Sequence, residues 1–163
     1  MKFGILIGRF QPLHAGHQST INEIMHDGLT PVVLIGSSGA VDEKNPFSYA
    51  ERALLINEIY GGHVITLPLP DKPTDSGWAS CVKETLVNAG IHHCVIYYHH
   101  KKGDYDIFPL LSGFNFVKPS YYEPYINLSA TKIRQSPDSY KQYLDGRVLQ
   151  RLNREHKESL KII

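Results

Sequence analysis

The chain has 163 residues, of which 42% are hydrophobic and 20% charged, and these values predict a single globular domain over residues 1–163. Its formal net charge of +1 disfavours a general polyanion binder, so we expect no nucleic-acid partner, although a local basic pocket is compatible with it. No apolar run approaches the ~20 residues that span a bilayer and no signal-peptide pattern opens the chain, so we expect no membrane partner and a cytoplasmic location.

Strand-like and helix-like segments alternate along the chain. The predicted strands, in chain order, are 2–8, 31–38, 63–69, 93–98 and a weaker 114–119. The predicted helices are 15–28, 48–62, about 77–89 and a charged tail from about 136. This alternation predicts an α/β fold with a doubly wound, mainly parallel five-stranded sheet and helices on both faces. Since ligands of such sheets bind beyond the carboxyl ends of the strands, the loops at those ends are the candidate sites.

The loop after the first strand, "GRFQPLHAGH" (8–17), is rich in polar side chains. It matches neither GxxxxGK[ST] nor GxGxxG, the two glycine-rich phosphate-binding patterns. His14 and His17 flank the predicted helix start, where unpaired N–H groups favour an anion. Gly16 permits close backbone approach, and Arg9 adds a charged fork suited to phosphate oxygens.

Two other interpretations of these histidines stay open at this point. Either one could be a satisfied polar residue at a helix cap, and a zinc site would need a third ligand that the pattern lacks. The pairs His92-His93 and His99-His100 also suggest a metal, but adjacent strand residues point to opposite faces, so surface or supporting roles are favoured. The two cysteines, Cys81 and Cys94, lie on apolar stretches without metal-binding spacing, and we expect buried thiols.

Two signatures together give a specific resemblance. "GRFQPLHAGH" resembles the HxGH signature of the nucleotidyltransferase superfamily, and "LSATKIR" (128–134) resembles its second signature, [IL]SxTxxR. "NPFSYAER" (45–52) and "PDKPTDSGW" (70–78) are similar to segments of archaeal-type nicotinamide mononucleotide adenylyltransferases. They are equally similar to the adenylyltransferase half of the bifunctional adenylyltransferase–Nudix proteins. The resemblance covers about residues 2–135, and no Nudix domain is expected in this chain.

The resemblance implies a reaction and roles for the motif residues. ATP and nicotinamide mononucleotide would form NAD and diphosphate, with Mg²⁺ entering on the ATP phosphates and no metal site in the protein. His14, His17 and Arg134 would be catalytic. The residues implied in ATP binding are Gly8, Arg9, Phe10, His14, His17, Ser129, Thr131 and Arg134. Taken alone, "LSATKIR" could equally be a plain helix cap with a solvated basic face.

The resemblance also implies a mononucleotide site. Arg52 would hold the mononucleotide's phosphate, Trp78 would stack on the cationic nicotinamide ring, and Asp71 would orient the carboxamide, with Phe47 beside them. Each has a structural alternative: a surface charge pair for Arg52, a core position for Trp78 and an ordinary turn for Asp71. A homo-oligomer is also expected.

Other functions remain to be separated from this one. A different adenylyl- or cytidylyltransferase could use phosphopantetheine, a flavin mononucleotide or an alcohol phosphate, and a non-catalytic nucleotide sensor could keep the same fold. "NPFSYAER" and the Asp71/Trp78 spacing disfavour the first, and the presence of His14, His17 and Arg134 disfavours the second. Segment 99–106 aligns with neither branch of the family, which leaves nucleotide selectivity open.

Overall fold

Five strands form one parallel sheet in the computed structural model, which describes residues 2–39, 41–100 and 106–161. They are β1 (Phe3–Gly8), β2 (Thr30–Gly36), β3 (Ile65–Leu69), β4 (Cys94–Tyr97) and β5 (Asn115–Val117). Their order across the sheet is β3-β2-β1-β4-β5, and every neighbouring pair is parallel. The predicted α/β fold with a five-stranded, doubly wound sheet is therefore confirmed.

The described helices follow the predicted alternation, with differences at the C-terminal end. They are α1 (Ala15–His26), α2 (Tyr49–Tyr60), α3 (Asp75–Asn88), α4 (Ala130–Gln135) and α5 (Gly146–Lys161). Short 3₁₀ helices lie at Glu123–Tyr125 and Pro137–Tyr143, so the predicted helical tail is divided into two elements. Side chains beyond residue 154 are outside the description.

Two helix boundaries have clear local causes. Ser48 caps α2, because its Oγ accepts a hydrogen bond from the backbone N–H of Glu51 at 3.1 Å. The same helix ends at Gly61, whose φ of +60° is a left-handed conformation that glycine adopts without strain. The sequence predicted both ends.

The strand order changes direction at the centre of the sheet. From β1 the chain builds outward through β2 to β3, and α3 then returns it to β4 on the other side of β1. The register aligns Phe3 with both Thr30 of β2 and Cys94 of β4. A crevice opens between the carboxyl ends of β1 and β4, where doubly wound sheets bind their ligands.

Both faces of the sheet are covered. Along β2, Val33 and Ile35 join a buried cluster with residues of α1, α2, α4 and α5, whereas Val32 and Leu34 join a second cluster with α3. This division follows from the two-residue period of a strand. All four β2 side chains are fully buried, so both faces of this strand lie in the core.

Several smaller predictions can be compared with the structure. Cys81 and Cys94 are only half-buried, which corrects the expectation of buried thiols, and burial raises the pKa of the Cys94 thiol. Of segment 99–106, residues 101–105 lie outside the described part of the chain. No helix in the described ranges has both the length and the apolar character needed to cross a membrane.

Candidate active site

A cavity of about 470 Å³ lies at the crevice between β1 and β4. Its walls come from the β1–α1 loop, the end of β4, the loop after β5 and the start of α4. Seven of the eight residues predicted to bind ATP line it, namely Arg9, Phe10, His14, His17, Ser129, Thr131 and Arg134. The fold thus brings the two signatures to one place.

His14 and His17 are held by the start of α1. His14 is the N-cap residue, and its Nδ1 accepts a hydrogen bond from the backbone N–H of Gly16 at 3.1 Å. In return the backbone N–H of His14 donates to Nδ1 of His17, also at 3.1 Å. These reciprocal bonds form a capping box, the arrangement that usually joins a Ser or Thr to a Glu or Gln.

The capping bonds fix the tautomer of both rings. Because each Nδ1 accepts a hydrogen bond, the proton of the neutral imidazole of His14 and of His17 is on Nε2. The two rings stack with their centroids 3.8 Å apart and an angle of 25° between their planes. The sequence left open whether these histidines serve as helix caps or as ligand-binding groups. The geometry allows both, because Nδ1 of each ring takes part in capping and Nε2–H can donate to a ligand.

Two arginines add positive charge to the same cavity. Nη1 of Arg134 donates to the backbone oxygen of Gln11 at 2.6 Å, which ties α4 to the β1–α1 loop. Burial, and secondly the nearby charge of Arg9, lower the pKa of Arg134. Two guanidinium groups close enough to repel each other favour an anion between or beside them.

The "LSATKIR" segment supplies the opposite wall. Leu128 and Ile133 are buried and fix the segment against the core. Ser129 caps α4 through its Oγ, which accepts from the backbone N–H of Lys132 at 3.4 Å. Its predicted capping role and its place in the cavity wall are thus both present, and Thr131 lies exposed beside it.

The ring of Phe10 packs over Gly8 at the end of β1. Phe10 is buried with a φ of +53°, and its ring meets the ring of His17 edge-on at 4.6 Å. A Cβ on Gly8 would lie 3.0 Å from the Phe10 ring. Gly8 therefore accommodates this ring, and its predicted contact with ATP stays a prediction.

Gly16 also has a role that the sequence did not indicate. A Cβ there would lie 2.8 Å from the ring of Tyr122 and 2.9 Å from that of His14. Such separations are too short for any real Cβ contact, so glycine is needed for side-chain packing. The expected close approach of a ligand to this backbone stays a prediction.

Sequence reasoning missed two buried polar residues that hold the site together. Gln11 donates through Nε2 to the backbone oxygen of Phe47 and accepts from its N–H, at 2.9 and 3.0 Å. Glu23 accepts from the backbone N–H groups of Ser120 and Tyr121 and from the Ser120 hydroxyl. Residues two apart do not share a helix face, so Glu23 lies off the face formed by Ile21 and Ile24, and the sequence pattern gave no signal for its burial.

Arg52 has a different environment from the predicted one. The side chain is 2% exposed, and its guanidinium donates to the backbone oxygens of Arg9, Gly36, Ser37 and Ser48 at 2.7–3.1 Å. These bonds use four of the five N–H donors of an arginine. Burial lowers its pKa. In this structure Arg52 clamps the ends of β1 and β2 to the start of α2, and its predicted contact with the mononucleotide's phosphate stays a prediction.

Phe47 is a second residue whose surroundings differ from the predicted ones. It was expected beside the mononucleotide, but its side chain is 1% exposed and belongs to the core cluster on the α2 face. The guanidinium carbon of Arg151, on α5, lies 5.3 Å from the centre of its ring. Arg151 in turn pairs with Glu51 at 2.9 Å. Phe47 therefore anchors the loop that precedes α2.

Asp71 and Trp78 do line a cavity of their own. It measures about 260 Å³ and lies at the start of α3; its other walls are Lys72, Thr74, Asp75, Ile107 and Leu110. Trp78 is half-buried against the cluster under α3. Asp71 accepts a hydrogen bond from Oγ of Ser37 at 3.0 Å. Ser37 has a φ of +49°, and its bond links this cavity to the end of β2.

Among the described residues no group of three His, Cys, Asp or Glu side chains is arranged to hold a metal ion.

Comparisons with known proteins bear on the family and on the fold. The model of the cytidylyltransferase-like family matches residues 5–136. A nicotinamide-nucleotide adenylyltransferase of Methanolobus tindarius is 39% identical over 84 residues, which is 49% of each chain. The chain spans about half the length of the curated relatives it matches.

Two solved structures share the fold. A bifunctional NMN adenylyltransferase/ADP ribose pyrophosphatase from Francisella tularensis superimposes with a TM-score of 0.77 at 23% identity, covering 94% of this chain and 49% of that one. A NadR protein in complex with NAD and AMP-PNP gives a TM-score of 0.65 at 20% identity, covering 93% and 46%.

Proposed function

The chain belongs to the cytidylyltransferase-like family, and from this premise we propose that it is a nicotinamide-nucleotide adenylyltransferase. It would join ATP and nicotinamide mononucleotide to give NAD and diphosphate. The relative from Methanolobus tindarius bears this name, and the NadR structure contains both NAD and a nucleoside triphosphate analogue.

One observation carries the proposal. The stacked His14–His17 pair, with both protons on Nε2, shares a cavity with Arg9 and Arg134, two cations that repel each other. Such a site offers hydrogen-bond donors and positive charge, which are what a triphosphate requires. His14 and His17 would donate to the ATP phosphates, and Arg134 would contact the β- and γ-phosphates.

The proposed chemistry needs no general base. A phosphate monoester has a second pKa of about 6 and is already an anion at neutral pH. One of its oxygens forms a bond to the α-phosphorus of ATP, the bond to the oxygen bridging to the β-phosphorus breaks, and diphosphate leaves with that electron pair. The protein brings two anions into line and stabilises the charge that develops on the leaving group. His17 would stabilise this developing charge by donating a hydrogen bond at the α-phosphate.

The second cavity supports a pyridine nucleotide as the acceptor. Trp78 offers an aromatic face to a pyridinium ring. Asp71, held by Ser37, offers a carboxylate to the ring's positive charge or its carboxamide. A flavin or a pantetheine phosphate carries no such cation. Since Arg52 is engaged with backbone oxygens, we propose Arg9, which is exposed at the end of β1, as a contact for the mononucleotide phosphate.

Mg²⁺ is proposed to enter on ATP and to neutralise part of the charge on the β- and γ-phosphates. Removing divalent cations with EDTA should abolish turnover, and adding Mg²⁺ should restore it. The homo-oligomeric state and the cytoplasmic location stay predictions.

The test is a substrate panel. The purified protein is incubated with ATP, Mg²⁺ and, in separate reactions, nicotinamide mononucleotide, phosphopantetheine, flavin mononucleotide or an alcohol phosphate. Diphosphate release and the dinucleotide product are both measured, the latter by liquid chromatography. Nicotinamide mononucleotide should give the highest kcat/KM by orders of magnitude.

Two variants control this assay. His17→Ala should lose activity, whereas His92→Ala, at an exposed site before β4, should retain it. A preference for another phosphomonoester would replace the proposed substrate while keeping the reaction class. No diphosphate release with any acceptor, although ATP binds, would favour a nucleotide sensor.

A further inference from the structure

The cavity has a second wall beyond its histidines and arginines. Tyr97, Tyr98 and His99 form it at the end of β4, and Pro119 and Tyr122 form it in the loop after β5. Glu23 holds this loop in place through its bonds to residues 120 and 121. The wall is mostly aromatic, as expected for a surface that binds a flat ring.

His99 is an exception to the hydrogen-bonding pattern of the site. Its side chain is 9% exposed, yet within the described part of the chain neither Nδ1 nor Nε2 has a hydrogen-bond partner. Its ring lies 5.3 Å from that of Tyr122. Buried polar atoms without partners are destabilising, and in native proteins they call for a specific explanation such as a ligand.

The surroundings of His99 distinguish its two nitrogens. Oε2 of Glu123 lies 3.6 Å from Nε2, slightly too far for a hydrogen bond but close enough to form one after a small movement of this exposed carboxylate. A carboxylate can only accept. The neutral imidazole therefore carries its proton on Nε2, toward Glu123, and Nδ1 is the acceptor. His99 lines the cavity, and with Nε2 directed at Glu123 the other nitrogen, Nδ1, is the one left for a ligand.

We propose that His99 selects the base of the nucleoside triphosphate, favouring adenine over guanine. This rests on the proposed function, because phosphates at His14 and Arg134 place the base toward the aromatic wall. Nδ1 accepts a hydrogen bond from the exocyclic amino group of adenine. Guanine has a keto oxygen at that position, which would face the Nδ1 lone pair. A site that leaves a buried polar group unpaired with the wrong ligand discriminates strongly against it.

The test measures the selectivity for ATP over GTP as a ratio of kcat/KM values with nicotinamide mononucleotide saturating. His99→Ala should lower this ratio about tenfold or more, through a loss with ATP and little change with GTP. His99→Phe should lower it equally while keeping an aromatic ring beside Tyr122. Glu123→Gln should lower it less, because it disturbs only the orientation of the proton. His92→Ala should leave the ratio unchanged.

The failure of this proposal can be told apart from that of the proposed function. The Kd values of ATP and GTP, measured by calorimetry for the same variants, give the selectivity even if the protein does not turn over. An unchanged ratio in His99→Ala and His99→Phe would overturn the role of His99. A larger loss with GTP than with ATP would also overturn it, since His99 would then be a donor to a keto oxygen. Absence of NAD synthesis by the wild-type protein would overturn only the proposed function.

Discussion

Two regions at the carboxyl ends of the strands differ in what their arginines contact. Arg134, which is proposed to contact the ATP phosphates, donates one hydrogen bond to a backbone oxygen and still lines the cavity. Arg52, from the segment predicted to hold the mononucleotide, is buried and donates to four backbone oxygens. An arginine therefore faces the cavity in one region and stabilises the fold in the other. The number of backbone oxygens within reach of the guanidinium decides which of these roles it has.

The largest effect is expected in the region proposed for the ATP phosphates, from His17. His17→Ala should reduce kcat about 10²–10³-fold, because a donor to the developing charge is lost. It should also lower the free energy of unfolding by about 1 kcal/mol, because the N–H of His14 loses its acceptor. Steady-state kinetics and urea unfolding measure the two effects separately.

His17→Gln separates catalysis from capping. Glutamine is a usual third residue of a capping box, so it should keep the stability that alanine loses. Turnover should still be low, because the imidazole and its Nε2–H are gone. Near-normal NAD synthesis by His17→Ala would contradict the proposed role.

Arg52 provides the sharpest test of the comparison. Arg52→Met should lower the free energy of unfolding by at least about 2 kcal/mol, since the oxygens of Arg9, Gly36 and Ser37 lose their donor. Affinity for nicotinamide mononucleotide and for nicotinamide riboside, which lacks the phosphate, should fall by the same factor. Arg151→Met is the matched control, since its partly exposed pair with Glu51 should contribute less than about 1 kcal/mol. A loss of affinity for the mononucleotide alone, at unchanged stability, would restore the predicted phosphate contact.

Trp78 should show an intermediate effect that is specific to one substrate. Trp78→Ala should raise the KM for nicotinamide mononucleotide about tenfold or more and change that for ATP less than about twofold. Trp78→Phe should keep part of the effect, because a phenyl ring still offers an aromatic face. Equal increases in both KM values would indicate that Trp78 only packs against the core.

The smallest effect is expected at Ser37, whose hydroxyl holds Asp71. Removing this bond should raise the KM for the mononucleotide a few-fold, corresponding to about 1 kcal/mol. Ser37→Ala and Ser37→Gly should do so equally. Their stabilities should differ, because glycine tolerates the φ of +49° better than alanine does. If only one of these two variants changed the KM for the mononucleotide, backbone strain and not the lost hydrogen bond would explain the change.

The sequence predicted the elements that depend on local patterns. The first helix starts at the predicted position and its apolar residues Ile21 and Ile24 are buried, although the neighbouring apolar residue Met25 is 36% exposed. Likewise Leu54 projects from α2 into solvent. The spacing of apolar residues shows which face of a helix is buried. It does not show how wide that buried face is, because its width depends on the elements that pack against it.

The long-range polar contacts were beyond the reach of pattern reasoning. Glu23 meets residue 120 across 97 positions, and Gln11 meets Phe47 across 36. Such pairs form only when two loops come together in the folded chain, and this contact cannot be predicted from residue type or from spacing along the sequence. The same limit explains Arg52, since the carbonyl groups that surround it come from three separate segments.

The capping box at the start of α1 has a consequence for the entropy of binding. When α1 folds, His14 and His17 lose most of their rotamer freedom, because each ring is fixed by a backbone bond and by the other ring. A ligand therefore meets two donors that are already ordered, and avoids about 0.5–1.5 kcal/mol per side chain that ordering them at binding would cost. Affinity is thereby linked to the folding of one helical turn. A substitution that loosens this turn would weaken binding without touching any atom that contacts the ligand.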